Sequence, residues 1–310
     1  MFPIKDRVNS AMRIKNIKSR KPTKQKTADR VLGICFLSPS LIGVCVFFIL
    51  PFFVVIYYSV TEGAGQRVFV WFQNYSKLFQ NSAFRLAARN TATFSLSAVP
   101  LAVVLALALA VMLERRIPGQ SFFRTAFLSP MMVPVVSVVL VWQIVFNYNG
   151  TLNEATALFG LDKIDWLSSR YCQVVIVALF LWKNLGYNMI LFMAGLSNIP
   201  KEILEAASVD GASDAYQFFH IKLRYLSSTI LFVTILSLIS SFKIFREVYL
   251  LTGDYPYEGL YTLQHFMNNT FRSLDYQKLC SAAVVMAIVI VAIIAVLFLL
   301  EEHYGKDLDG

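Results

Sequence analysis

Six long blocks of apolar residues constrain the fold of this 310-residue chain more than any other feature. An α-helix needs about 20 predominantly apolar residues to cross a bilayer. The blocks span residues 32–60, 90–113, 122–146, 172–196, 226–251 and 280–300. Charged residues make up only 15% of the chain, whereas a soluble domain carries about 25%. We therefore predict an all-α membrane protein with about six transmembrane helices, and exclude a soluble enzyme.

The distribution of charge predicts how these segments are oriented. Residues 1–30 contain ten lysines and arginines and two acids, which places most of the net charge of +9 before the first block. Basic residues beside a transmembrane helix favour the cytoplasmic side. We predict a basic cytoplasmic tail at 1–30, a transmembrane domain at 31–300 and a cytoplasmic tail at 301–310, in a multi-pass protein of the cell membrane. The basic excess in 61–89 opposes this orientation, but the N-terminal bias usually dominates.

The positive charge indicates membrane lipid, and not nucleic acid, as a partner. It forms no basic face on a folded domain and lies beside an apolar block, where it attracts anionic lipid. The four cysteines lack metal-type spacing, and His220, His265 and His303 lie in three different regions. We predict neither a metal site nor a catalytic residue. The sequence also lacks the phosphate loop G-x-x-x-x-G-K-[ST], so this chain should bind no ATP cofactor.

Residues 197–225 connect two apolar blocks and have a helical pattern of their own. Pro200 suits the first turn of a helix, and the pattern breaks at Asp210-Gly211 before it resumes through Phe218. Because glycine adopts positive φ without strain, we predict two short helices joined by a tight turn. The segment is too polar to cross a bilayer. From pattern alone, an amphipathic loop resting on the membrane surface is one interpretation.

The same segment carries a recognisable motif. Residues 205–212 read EAASVDGA, and Phe218 and Ile221-Lys222-Leu223 follow. This run resembles the EAA motif of permease subunits in binding-protein-dependent ABC importers. Its position in a connection before the penultimate apolar block fits that family.

Other segments are similar to the carbohydrate-uptake branch of that family, and to its maltose-permease-like first subunit. The first is Trp71-Phe72-Gln73-Asn74-Tyr75 with Phe79. The second is Trp182 and Gly186, followed by Ala194-Gly195-Leu196 and Ile199-Pro200. The third is Phe242-Lys243-Ile244-Phe245, followed by Leu251-Thr252-Gly253. The resemblance covers roughly residues 30–300. One departure is Arg224, which stands where the family usually has proline and affects the exit of the second short helix.

The resemblance implies a type I ABC importer permease fold, in which residues 197–225 form cytoplasmic EAA coupling helices. A second permease subunit would complete the pathway as a heterodimer, an ATPase dimer would hold ATP and Mg, and an extracytoplasmic solute-binding protein would deliver a sugar or oligosaccharide. The residues assigned to ATPase coupling are Glu205, Ala206, Ala207, Asp210, Gly211 and Phe218.

Polar and ionisable side chains inside the apolar blocks indicate a substrate path, because they are costly in a bilayer. Aromatic rings among them suit the faces of sugars. The candidates are Asn184, Tyr187, Asn188, Phe242, Lys243 and Phe245. Lys183, Arg246 and Glu247 belong to the same two blocks. A purely structural interpretation is also open, in which Lys183 reaches an interface and serines such as Ser237 pack helices.

Three other functions remain open at this point. A membrane-embedded enzyme would need paired acids within the blocks, and none is evident. An ion-coupled secondary transporter would show inverted repeats, and none is detected. An importer permease for a different solute would share every feature described above.

Overall fold

The computed structural model describes residues 23–63, 68–114 and 118–305. Most of the predicted tail at 1–30 and the end of the predicted tail at 301–310 therefore lie outside the described residues. The described part is mostly helical, with one short hairpin and non-helical connections such as residues 158–171. The predicted all-α class is confirmed.

In the first of two compact units, Met1–Tyr57, the described residues form a long helical segment. It contains α1 (Thr23–Val44) and a wider π-helical turn (Cys45–Ile49), and α2 (Leu50–Ser59) continues into the second unit. The wide turn directly precedes Pro51, which has no N–H to donate to the preceding turn. Large apolar side chains are exposed along the described length of this unit, as expected of a surface that faces lipid.

The second unit, Tyr58–Gly310, is a helical bundle with short elements at its ends. Its first half contains β1 (Thr61–Glu62), β2 (Val68–Phe69), α3 (Gln73–Gln80), α4 (Ser82–Glu114), α5 (Gln120–Met132), α6 (Val135–Phe146) and α7 (Thr151–Ala157). Its second half contains α8 (Cys172–Ser197), α9 (Lys201–Val209), α10 (Asp214–Gln217), a π-helical turn (Phe218–Lys222), α11 (Leu223–Tyr225), α12 (Ser227–Phe242), α13 (Phe245–Thr252), a 3₁₀ turn (Glu258–Leu260), α14 (Leu263–Arg272) and α15 (Tyr276–Gly305).

Six segments of the described chain are long and apolar enough to cross a bilayer, which confirms the predicted number. They are Leu32–Ser59, Ser82–Glu114, Val135–Ala157, Cys172–Ser197, Ser227–Thr252 and Tyr276–Glu302. The third differs from the single helix predicted at 122–146, because α5 ends at Met132 and α6 begins at Val135. The break follows from Pro134, which forces the preceding residue, Val133, into an extended conformation with ψ 132°.

Small residues allow the two central helices to pack closely. Ala98, Ala102, Ala106 and Ala110 recur every fourth residue along α4 and are fully buried. This spacing places them on one helix face, and small residues let backbones approach within a membrane. On α8, Gly186 lies so close to α5 that a Cβ atom would stand 1.9 Å from a backbone carbonyl oxygen.

Buried polar side chains join helices that are far apart in sequence. Asn188 on α8 donates to Ser237 on α12 at 2.8 Å, and Ser95 on α4 lies 2.9 Å from Ser241 on α12. Both contacts are buried. Hydrogen bonds of this kind hold transmembrane helices in one rotational position.

One end of the bundle, here called the loop end, is formed by residues 114, 197–226 and 301. Lys222 forms an ion pair of 2.6 Å with Glu114, the last residue of α4. Ser228 donates to Glu301 at 2.8 Å. The loop between α8 and α12 is therefore tied to the end of α4, and the start of α12 is tied to α15.

The opposite end, here called the hairpin end, is formed by residues 59–63, 68–82 and 253–275. Asn74 is buried and donates to the carbonyls of Ser59 and Thr61, both at 3.0 Å, which fixes α3 against the hairpin. Asn90 donates to the carbonyl of Tyr261 at 3.0 Å. The second crossing is thus held to the segment that precedes α14.

Candidate functional site

A cavity of about 500 Å³ lies among α5, α8, α12, α13 and α14 in the second unit. Its apolar wall includes Met131, Phe180 and Phe245. Its polar wall is formed by Lys183, Asn184, Ser240, Lys243, Arg246, Glu247 and Gln264. This space is called the polar cavity below. It is large enough for a small organic solute.

The polar cavity lies where two helical segments are interrupted. Met131 lines it just before the break between α5 and α6, and Lys243 and Ile244 line it between α12 and α13. At the second break the N–H of Ile244 donates to Ser241 at 3.4 Å, three residues back instead of four. Irregular backbone at membrane depth is tolerated where it lines a cavity, and transporters build solute sites at such breaks.

A buried ion pair crosses the cavity wall. Lys183, on α8, donates to a carboxylate oxygen of Glu247, on α13. The side chain of Glu247 is only 4% exposed, so its charge depends on this partner. Arg246 is largely exposed and its guanidinium nitrogen lies 3.7 Å from the same oxygen, beyond hydrogen-bonding distance.

Three of the predicted substrate-path residues line the polar cavity: Asn184, Lys243 and Phe245. Tyr187 does not line it and is exposed. Asn188 is buried in its hydrogen bond to Ser237, which makes it a helix-packing residue in this conformation.

Phe242 lies apart from the polar cavity. It lines a separate apolar cavity of about 540 Å³ among α4, α12 and α15. Phe242 and Lys243 are neighbours in sequence, yet they face different cavities because successive helical residues point about 100° apart. The hydropathy of this apolar block does not show that the two side chains face different cavities.

Sequence reasoning missed Gln264, Ser240 and Met131 as cavity-lining residues. Gln264 belongs to α14, outside the apolar blocks, and nothing in its local pattern points toward the cavity. Its neighbour His265 is fully buried, and its Nδ1 accepts from the N–H of Thr262 at 3.4 Å. Burial lowers the pKa of His265 to about 4, although Asp254 opposes that shift.

The loop end carries the second candidate site, which has the predicted shape of two short helices and a turn. α9 ends at Val209, and Gly211 has φ +83° with open space around it. The second helical piece consists of α10, a π-helical turn and α11, which follow one another as far as Tyr225. Arg224 does not interrupt this run, since arginine retains the N–H that proline would lack.

The coupling residues predicted on this loop divide into exposed and packed positions. Glu205, Ala206, Asp210 and Gly211 are exposed, and Ala207 is half-buried. Leu204 packs against the core cluster at the loop end, which anchors α9 to the bundle. The exposed side of α9 also presents Val209, with 88% of its surface free.

Phe218 lies against its own chain. It is half-buried and lines a cavity of about 230 Å³ with Val111, Glu114, Gln217 and Lys222. Phe219 beside it is 63% exposed. The structure therefore places Phe218 where it joins the loop to the end of α4, and leaves Phe219 and Tyr216 as aromatic side chains exposed on the outside.

Comparison with protein families gives a match over most of the chain. The family described as "Binding-protein-dependent transport system inner membrane component" matches residues 98–309. The chain is 29% identical over 92% of its length to the trehalose/maltose transport system permease protein MalF of Thermococcus litoralis, covering 98% of that protein. It is 30% identical over 89% of its length to the lactose transport system permease protein LacF of Rhizobium radiobacter, covering 95% of that protein.

A solved structure shares the fold. A chain of a bacterial ABC transporter involved in the import of the acidic polysaccharide alginate aligns with a TM-score of 0.77 at 20% identity. The alignment covers 90% of the present chain and 98% of the other. The six-crossing architecture is thus that of an ABC importer permease.

Proposed function

The chain belongs to the family of inner membrane components of binding-protein-dependent transport systems, and from this premise we propose that it is a permease subunit of an ATP-driven importer of a sugar or oligosaccharide. The observation that carries the proposal is the polar cavity at two helix breaks inside the bundle. Polar groups inside a membrane protein mark functional paths, and transporters bind their solutes at helix breaks of this kind. The relatives named for trehalose, maltose and lactose transport support a carbohydrate as that solute.

The wall of the polar cavity suits a carbohydrate. Asn184, Ser240 and Gln264 provide amide and hydroxyl groups that donate to and accept from sugar hydroxyls. Phe245 provides an aromatic face of the kind that packs against the apolar side of a sugar ring. Met131 and Phe180 close the cavity with apolar surface.

The exposed face of α9 is proposed to bind a separate ATPase subunit. A short helix of eight or nine residues with small and apolar exposed side chains can enter a groove on a partner. Ala206 and Val209 supply that surface, and Glu205 supplies an acceptor for charge-assisted hydrogen bonds. Because Leu204 anchors α9 in the core, movement of the partner would be transmitted to the bundle. ATP and Mg are proposed to bind on that partner and not on this chain.

The remaining assembly is proposed from the family. A second permease subunit would complete the pathway, with an extracytoplasmic binding protein delivering the solute at the hairpin end. The loop end, with both termini, would then be cytoplasmic. Transport would follow from two states of the bundle, which open the polar cavity to opposite sides and are each favoured by a different nucleotide state of the ATPase.

Gly211→Val tests the coupling role of the loop. A β-branched residue at φ +83° is strained, so the turn should distort and displace α10 relative to α9. We expect normal membrane insertion, with loss of ATPase co-purification or of uptake per ATP hydrolysed. Glu205→Ala should have a milder effect, because it removes one acceptor and keeps the helix.

Gly160→Val is the matched control, because Gly160 has φ +74°, open space and a position away from the loop end. It should retain ATPase binding. If Gly211→Val keeps wild-type ATPase binding and uptake, the loop only rests on the membrane surface and the coupling role is wrong. Sugar uptake that persists after ATP depletion at fixed ion gradients would instead identify a secondary transporter.

A further inference from the structure

The ionisable residues that line the polar cavity carry an excess of positive charge. Three of them are cations, Lys183, Lys243 and Arg246, and one is an acid, Glu247. Charges inside a membrane protein are costly unless they are compensated. We therefore ask which solute would match the two extra positive charges of this cavity.

The single acid is already committed to one of the cations. Lys183 donates directly to Glu247, and both side chains are mostly buried, at 21% and 4% exposed. Arg246 lies 3.7 Å from the same carboxylate and its side chain is 66% exposed. Its guanidinium therefore keeps most of its five donors free for another acceptor.

Lys243 is the second cation that Glu247 does not hold by a hydrogen bond. It is exposed toward the cavity, and it has no hydrogen-bond or ion-pair partner among the residues that the structure describes. Lys243 caps the C-terminal end of α12 and Arg246 lies in the first turn of α13, and the N–H of Arg246 donates to the carbonyl of Lys243 at 3.4 Å. The break between the two helices thus brings both cations to the same cavity.

This convergence has the chemistry of an anion site. A guanidinium fork beside an ammonium group matches the oxygens of a carboxylate or a phosphate. A cavity lined by one sign of charge and walled by apolar surface also concentrates solutes of the opposite sign. Neutral sugars offer hydroxyl acceptors but no opposite charge, so they would gain less from these two cations than an anionic solute would.

We propose that the transported carbohydrate carries an anionic group, a carboxylate or a phosphate, which binds between Lys243 and Arg246. The inference rests on the proposed function of this chain as a carbohydrate permease. Asn184, Ser240 and Gln264 then bind the hydroxyl groups of the same solute. The Lys183–Glu247 pair holds α8 to α13, and Lys183 compensates the charge of the acid.

The test uses the whole transporter reconstituted in vesicles, with its partner permease, its ATPase and its binding protein. Three labelled probes are compared: a galacturonate trisaccharide, glucose 6-phosphate and the neutral galactotriose. The first two probes distinguish a carboxylate from a phosphate. We expect ATP-driven uptake of one acidic probe about tenfold above that of galactotriose, as a charged hydrogen bond predicts.

Variants then assign the preference to this chain, because the binding protein is the same in every sample. Lys243→Gln should lower uptake of the preferred acidic probe about five- to tenfold, and Arg246→Gln should act in the same direction. Lys243→Arg should restore most of the uptake. Lys278→Gln is the control, since Lys278 pairs locally with Asp275 and does not line the cavity.

The outcomes separate this inference from the proposed function. If galactotriose is imported and both acidic probes are excluded, the chain is a sugar permease and the anion site is wrong. Unchanged acidic uptake in both Lys243→Gln and Arg246→Gln would also overturn the site, provided that the variants assemble with the ATPase. If no probe is imported with ATP, the site and the proposed carbohydrate function both fail.

Discussion

At the scale of single residues, Gly186 shows how closely two helices approach in this bundle. It lies on α8, and an added Cβ would stand 1.9 Å from the carbonyl oxygen of Phe127 on α5. The neighbour is backbone and cannot rotate away. Close packing therefore requires glycine at position 186. This glycine sets the distance between α5 and α8, which both line the polar cavity.

Gly186→Ala should destabilise the protein by about 1–3 kcal/mol, because overpacking forces α5 and α8 apart. The midpoint of thermal unfolding of the purified protein in detergent measures this effect. Gly43→Ala is the matched control, since Gly43 is also helical and has nothing within 4 Å of the added Cβ. It should be neutral or slightly stabilising. Equal effects of the two substitutions would contradict the packing explanation.

The folded structure favours the neutral form of His265 over the protonated form. It is fully buried beside the rings of Phe245 and Tyr261. Burial lowers the pKa of His265 from 6.5 to about 4, with a smaller opposing effect of Asp254. The folded protein therefore holds this ring neutral at pH values where an unfolded chain would protonate it.

The stability contributed by neutral His265 should be complete above pH 6.5 and be lost as the pH falls from 6.5 to 4. In that window the unfolded state binds more protons, so the free energy of unfolding falls by about 1.4 kcal/mol per pH unit. Thermal unfolding of wild type and His265→Gln between pH 7 and pH 4.5 measures it. Glutamine keeps an acceptor for Thr262 and cannot be protonated, so its unfolding midpoint should fall less. Parallel pH profiles would exclude His265 as the cause.

At the scale of elements, the loop between α8 and α12 is tied to α4 by one ion pair. Lys222 and Glu114 are 2.6 Å apart, with side chains 18% and 32% exposed. The contact joins the π-helical turn after α10 to the last residue of a helix that runs through the centre of the bundle. Movement of the loop is thereby passed to α4 as well as to α8.

Glu114→Gln should weaken coupling without preventing assembly. A partly exposed ion pair contributes about 1 kcal/mol, which corresponds to about a fivefold change in the ratio of uptake to ATP hydrolysis. The exchange of both charges, Glu114→Lys with Lys222→Glu, should recover part of that ratio. Lys77→Gln is the control, because the Lys77–Glu62 pair has a similar length at the hairpin end. A ratio unaffected by Glu114→Gln would show that this pair is only structural.

At the scale of the whole molecule, the two ends of the bundle make the orientation testable. Ser213 lies at the loop end and Ser273 at the hairpin end, and both are exposed. The basic N-terminal sequence favours a cytoplasmic loop end. This charge bias predicts which end is cytoplasmic, and an even number of crossings predicts that both termini lie on that side.

Single cysteines at Ser213 and Ser273, in a background without the four native cysteines, should react differently with an impermeant reagent. Ser273→Cys should be labelled in intact cells, and Ser213→Cys only after the membrane is opened. In that background alanine replaces Cys172 and Cys280, because both of these cysteines are buried. Labelling of Ser213→Cys from outside would reverse the proposed orientation and remove the loop from the cytoplasmic ATPase.

The sequence by itself determined the features that depend on local composition. The number of crossings follows from the length of each apolar block, and the turn at Gly211 follows from a residue that tolerates positive φ. The third crossing was placed incorrectly although Pro134 was visible. Pro134 holds the preceding residue, Val133, in an extended conformation and so ends α5. A prediction from hydropathy alone does not include this conformational effect.

Only the tertiary structure decided which side chains meet. Lys183 and Glu247 are 64 residues apart, and their contact depends on how α8 and α13 are rotated against each other. The same rotation buries Asn188 against Ser237, while Asn184, one turn earlier on α8, lines the polar cavity. Hydropathy fixes how many helices cross the membrane, but close packing of small residues such as Ala102 and Gly186 fixes their rotation, and rotation determines what the cavity can bind.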